Sequence, residues 1–241
     1  MWDLNKPDAT SEPPFETKEL RKNLAKFLDE LFEDPVAGDR KPVGNFKWGV
    51  YLFYDYDGEP IYVGQTNEKL RTRIRRHLTN QRTDAVAMSV LDPFEVFEIE
   101  VFPLPQFEKA DKNSKGAKQH LDALEHAVYL RAIEQSKFRA ILNEKDPPEP
   151  AVSVAIPPSY RASVVSDEVL QIRAHPDFRF ARRALIMSRL AQVISERKVQ
   201  GGLRRVLLTQ AKRLQWLADR RYQALGGPSS VEMEGDAEDV T

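Results

Sequence analysis

The chain has 241 residues, 41% hydrophobic and 30% charged with a formal net charge of −1, which is the composition of a soluble globular protein with room for one domain and a smaller appendage. No apolar run approaches the ~20 residues of a membrane span, and the first residues, with Asp3, Asp8 and Glu12 behind Trp2, lack the basic and apolar regions of a signal peptide. The absence of cysteine excludes disulfides, zinc–thiolate sites and thiol nucleophiles, leaves carboxylate, imidazole, carbonyl and water ligands for any metal, and makes a cytoplasmic setting the simplest expectation.

In chain order, residues 1–16 are polar and expected to be mobile. Leu20, Leu24, Phe27, Leu28, Leu31 and Phe32 then recur at helical spacing and predict a helix over 17–33. Two aromatic and β-branched runs, 48–54 and 59–64, are joined by Asp55-Tyr56-Asp57-Gly58 and predict a β-hairpin. A helix over about 68–80 follows, with Leu70, Ile74 and Leu78 on one stripe and Arg73 and His77 side by side along its flank. Phe97, Ile99 and Val101 alternate with Glu98 and Glu100, so 94–102 reads as a third strand in a sheet with one covered face.

A polar loop, 106–117, precedes a long helix expected from about Lys118 to Leu142. Glu125 falls among Leu121, Leu124, Val128 and Ala132 on its apolar stripe. An ionised carboxylate there is costly unless compensated, either by a bound cation or by a structural salt bridge to an arginine. The segment 146–159 holds five prolines and reads as a linker or an extended arm. Helices are expected over 167–200 and 203–225, separated by Gly201-Gly202, and the acidic end, 226–241, is expected to be disordered.

Charge is segregated along this order. The tract 69–76 carries five basic residues and no acid, and 167–221 carries thirteen Lys or Arg against five Asp or Glu. Such blocks in a neutral chain suit a polyanionic partner, or are solvated helix faces. Trp216 and Phe178 in the second block either stack on bases or, as the commoner case, pack in the core.

Gly49-Val50-Tyr51, then Tyr62-Val63-Gly64 with its Tyr eleven residues after Tyr51, then LRTRIRRHL and a later Glu together resemble the GIY-YIG nuclease family over about residues 48–143. The resemblance implies an α+β fold: a small three-stranded antiparallel sheet flanked by helices, with an N-terminal helix and a C-terminal helical extension. The corresponding divisions are an N-terminal extension (1–45), a nuclease domain (46–145), a Pro-rich linker (146–166), a basic helical region (167–225) and an acidic tail (226–241). It also implies a metal-dependent endonuclease, with DNA as substrate and a restriction, defence, mobile-element or repair role. An RNA-directed nuclease and a catalytically silent nucleic-acid-binding module are the alternatives.

In the implied site, Tyr51 is the general base for the attacking water, helped by His77, and Arg73 or the metal must lower its pKa for that role. Tyr62 positions water or phosphate, Arg73 stabilises charge at phosphorus, and Glu125 binds Mg²⁺ or Mn²⁺. Asn143 closes the motif at the end of the Glu125 helix, and Gly64 permits a close backbone approach. Gln65 stands where some members carry lysine. Arg71, Arg75 and Arg76 either contact phosphates or solubilise their helix. The basic C-terminal helices either grip DNA or join two copies into a homodimer, with no membrane partner.

Overall fold

The computed structural model describes residues 15–35, 38, 40–79, 90–196 and 201–228. The chain opens with α1 (Phe15–Asp29), followed by the short strands β1 (Leu31–Glu33) and β2 (Arg40–Pro42), which pair antiparallel. The expected first helix therefore ends early. Its stripe continues to Leu24, Phe27 and Leu28, which are buried, but Leu31 has already turned into β1 and is 61% exposed.

The hairpin forms as the sequence predicts. Strands β3 (Gly49–Tyr54) and β4 (Pro60–Thr66) pair antiparallel around a turn in which Gly58 takes a left-handed φ of 69°, a conformation glycine adopts without strain. Helix α2 (Leu70–Leu78) follows, buried through Leu70, Ile74, His77 and Leu78. Strand β5 (Glu98–Pro103) pairs with β3 on the side away from β4. Helix α3 (Lys115–Gln135), strand β6 (Tyr160–Ser163) and helices α4 (Asp167–Arg173), α5 (Pro176–Glu196) and α6 (Gly201–Ala224) complete the described chain.

The main sheet has four strands rather than three, in the order β4-β3-β5-β6, all antiparallel. The fourth strand directly follows the proline-rich 146–159 segment and lies inside the division 146–166 expected to be a linker. It pairs Ile99 with Ala162, and its Arg161 lies 3.5 Å from the centroid of the Tyr54 ring while bonding Glu98. Nor does the sheet have only one covered face. Tyr51, Phe53, Ile99 and Val101 belong to one core with α1, α2 and parts of α5 and α6, whereas Val50, Leu52, Tyr54 and Phe102 belong to another against α3. The alternating acid Glu100 is buried and satisfied by Tyr54 (2.7 Å), Arg131 (2.7 Å) and Ser159 (2.7 Å). A buried charge with three partners leaves the same alternation in the sequence as a solvated one.

The Glu125 helix is also shorter than expected. It stops at Ser136, whose backbone is extended and whose hydroxyl bonds Glu59 and the Ala140 carbonyl. The apolar residues that suggested continuation, Ile141 and Leu142, instead run beside β4, with Leu142 N–H donating to the Ile61 carbonyl at 2.8 Å.

At the C-terminus, Pro176 divides the expected first helix into α4 and α5, while 197–200 lie outside the described residues, as do the expected mobile residues 1–14 and 229–241 of the acidic tail. Much of the basic charge of α4–α6 turns inward. Arg183 bonds Glu95 (2.6 Å) and Asp55 (2.9 Å), Arg213 bonds Asp55 (2.8 Å), and Arg179 bonds Asp57. Arg179, Arg183 and Arg213 are all buried, and Arg182 pairs with Asp92 at 2.6 Å. Burial pushes the Asp55 carboxyl up, but Arg213, Arg183 and Arg179 outweigh it and hold the group below the ordinary carboxylate range. The C-terminal helices are thus fastened by buried ion pairs to the hairpin turn and to the approach to β5.

Candidate active site

The two tyrosines are brought together by strand register. Tyr51 pairs with Gly64 across β3 and β4, and Phe53 pairs with Tyr62. A Cβ on residue 64 would lie 2.5 Å from Tyr51 Cζ, so only glycine leaves room for the ring. Tyr51 is completely buried, with its ring centroid 6.4 Å from that of Tyr62 and 5.8 Å from that of His77. Tyr62 is half-buried and 5.1 Å from His77.

Helix α2 supplies the next pair. Arg73 and His77 lie one turn apart beside the buried Leu70–Ile74–Leu78 stripe, as their spacing predicts. His77 is buried in the aromatic group, and Arg73 lines an adjacent cleft of about 340 Å³ with Gln65, Lys118 and Asp122. Burial above all, reinforced by Tyr62, drives the Tyr51 phenol well above the ordinary tyrosine range, against the opposing pull of Arg73. Arg73 acts in the direction the base role requires, and desolvation outweighs it. Arg73 is the polar group that faces the buried Tyr51 hydroxyl, by charge and by hydrogen bonding.

Glu125 comes from the opposite layer. It is half-buried on α3, and its carboxyl is pushed up to about 7 by burial first and by Asp122 second, against Arg73 and a hydrogen bond from Gln65. Asp122 and Gln65, themselves 2.8 Å apart, are its polar neighbours; Gln65 stands at a position already singled out in the sequence, whereas Asp122 does not. The signal for Asp122 was its place three residues before Glu125 on one helix face.

Asn143 does not close a helix. Its buried side chain clasps the sheet edge, accepting from the Val63 N–H (3.0 Å) and donating to the Val63 carbonyl (2.9 Å). The edge strand is thereby covered, and the 143–148 segment forms one wall of a cleft of about 480 Å³ that also includes Tyr62, His77 and Glu125. Tyr62, His77, Glu125 and Asn143 thus share one cleft, Tyr51 lies beneath it, and Arg73 opens on the neighbouring one. Of the three flanking arginines, Arg71 pairs with Asp29 (2.6 Å) and Arg76 with Glu68 (3.0 Å), whereas Arg75 is exposed.

Among the described residues, no group of three His, Cys, Asp or Glu stands ready to hold a metal ion. A single carboxylate still fits Mg²⁺ or Mn²⁺, which keep several waters and take further oxygens from a substrate phosphate. The state of Glu125 supports that fit, because a desolvated carboxylate beside Asp122 is short of positive charge.

Residues 47–122 match the family model described as the GIY-YIG catalytic domain, and over that segment the family resemblance drawn from the sequence holds. Neither a curated protein nor a solved structure matches the chain. A GIY-YIG catalytic domain indicates a nuclease of a generally metal-dependent kind, with nucleic acid as substrate. Among the described residues no helix is long and apolar enough to cross a membrane.

Proposed function

We propose that this protein is a metal-dependent endonuclease that hydrolyses DNA phosphodiester bonds, acting in the cytoplasm in a restriction, defence, mobile-element or repair role. The observation that carries this reading is the convergence of Tyr62, His77, Glu125 and Asn143 on one cleft, with Tyr51 below and Arg73 alongside.

Glu125 would hold the Mg²⁺ or Mn²⁺ ion, which supplies Lewis-acid polarisation of a phosphate oxygen when bound. Arg73, on the neighbouring cleft and electrostatically coupled to both Tyr51 and Glu125, stabilises the negative charge that builds at phosphorus. Tyr62, half-exposed at the cleft wall, donates a hydrogen bond that orients water or phosphate. The base role implied for Tyr51 is the one that changes. Burial raises the Tyr51 phenol in the metal-free protein, so in this reading Tyr51 fixes the neighbouring rings, and His77, ring against ring with both tyrosines, takes the proton from water. Asn143 acts through the backbone, holding β4 and therefore Tyr62 in place.

The test is cleavage of supercoiled plasmid DNA with Mg²⁺ and with EDTA, beside RNA of matched length. Metal-dependent nicking of DNA supports the reading. Cleavage of RNA alone would move the substrate to the other nucleic acid, and binding without cleavage would favour a silent module.

A further inference from the structure

The basic residues best placed to hold nucleic acid are not those of the C-terminal helices. Arg179, Arg182, Arg183 and Arg213 are committed to Asp57, Asp92, Glu95 and Asp55, as the fold requires. By contrast, Lys112, Lys115 and Lys118, on the loop entering α3 and on its first turn, are exposed, and their ammonium groups make no ion pair among the described residues.

This loop is held in place by its other groups. Asn67 Nδ2 donates to the Lys112 carbonyl (3.1 Å), and Lys47 Nζ donates to the Ala110 carbonyl (2.8 Å). Glu108 pairs with Lys41 (2.6 Å). Of the nearby acids, Glu68 is ion-paired with Arg76, while Asp111 accepts from the Asn113 N–H and Asp122 from the Gln65 amide. Lys118 shares its cleft with Arg73, so the row of lysines leads directly to the catalytic neighbourhood. A fixed loop that presents three adjacent exposed lysines, none of them in an ion pair among the described residues, places positive charge beside the site.

We infer that Lys112, Lys115 and Lys118 form the track along which the DNA backbone is gripped on its way to Arg73. The inference rests on the nuclease reading and deepens it by locating the substrate-binding surface. Each phosphate contact contributes about 0.9 to the slope of log affinity against log salt concentration.

The test is fluorescence anisotropy of the full-length protein with a labelled DNA duplex, in Ca²⁺ to suppress cleavage, across a NaCl series. The triple variant Lys112→Ala, Lys115→Ala, Lys118→Ala is compared with Arg189→Ala, Arg204→Ala, Lys212→Ala, which removes three exposed cations of α5 and α6. The lysine variant is expected to bind about tenfold or more weakly near physiological salt and to lose roughly 2–3 of the slope. The second variant is expected to match the parent, and a thermal melt checks that all three proteins are folded. Parent-like affinity and slope in the lysine variant overturn the track and leave the nuclease reading standing. A parent that neither binds DNA nor cuts it in Mg²⁺ overturns both.

Discussion

The ring of Tyr51 lies over the backbone of Gly64, its register partner on β4, at a separation no side chain could share. The GIY and YIG halves of the motif therefore make one steric unit, in which the glycine of the second makes room for the tyrosine of the first. Gly64→Ala should displace the Tyr51 ring and cost about 1–3 kcal/mol of stability as an overpacked site. Cleavage should fall further than stability does. A shifted urea midpoint together with reduced single-turnover cleavage in the fully folded variant would show this, and unchanged cleavage would separate the glycine from the chemistry.

Assigning the proton transfer to His77 rather than Tyr51 makes the two positions distinguishable. His77→Ala should lower the cleavage step by about 10²–10⁴-fold, the usual contribution of a general base. Tyr51→Phe keeps the ring and removes only a buried hydroxyl that the proposed proton transfer does not use, so its loss should be much smaller. The reverse order in single-turnover rates would restore Tyr51 as the base.

Glu125 should link metal, proton and stability. With its carboxyl pushed up to about 7, the folded state binds more protons than the unfolded state between the ordinary Glu range and that value. Without a cation, stability from this group falls as pH rises to about 7, and Mg²⁺ affinity rises over the same interval. Glu125→Gln should therefore stabilise the metal-free protein at alkaline pH by roughly 1–3 kcal/mol and abolish the Mg²⁺-dependent rise in Tm. Melting curves with and without Mg²⁺ at two pH values on either side of neutrality check both effects.

The helices α5 and α6 should be inseparable from the nuclease fold. Asp55 is held below its ordinary pKa, so it contributes stability that is present above about pH 4 and lost as the solution is acidified through its folded value. Arg213→Ala leaves Asp55 with reduced compensation and should cost about 3–5 kcal/mol, measured by urea unfolding at neutral pH. Asp55→Asn should flatten the acid limb of the stability profile. Removing 167–241 strips both Arg183 and Arg213 from Asp55 and Glu95 and should leave an unfolded chain rather than a weakened enzyme.

What could be read from the sequence was what local chemistry determines. The Asp55–Gly58 turn, the spacing of Arg73 and His77, and the apolar neighbours of Glu125 each specify an outcome within a few residues. The fourth strand could not be read this way, because Tyr160–Ser163 gains its place only by pairing with β5, some sixty residues earlier in the chain. The end of α3 was hidden for a similar reason: Ile141 and Leu142 continue an apolar pattern, but the surface they cover belongs to β4 and the core beneath it. The basic C-terminal block misled most. An arginine paired with a buried carboxylate and one reaching for a phosphate are the same letter.

The most direct test of the central claim is single-turnover cleavage of plasmid DNA in Mg²⁺ by the parent, Arg73→Ala and Glu125→Ala proteins, each shown to be folded. Both variants should lose about 10²–10³-fold or more in rate, since each removes charge stabilisation that the reaction needs. Cleavage by either variant at the parental rate would contradict the site described here.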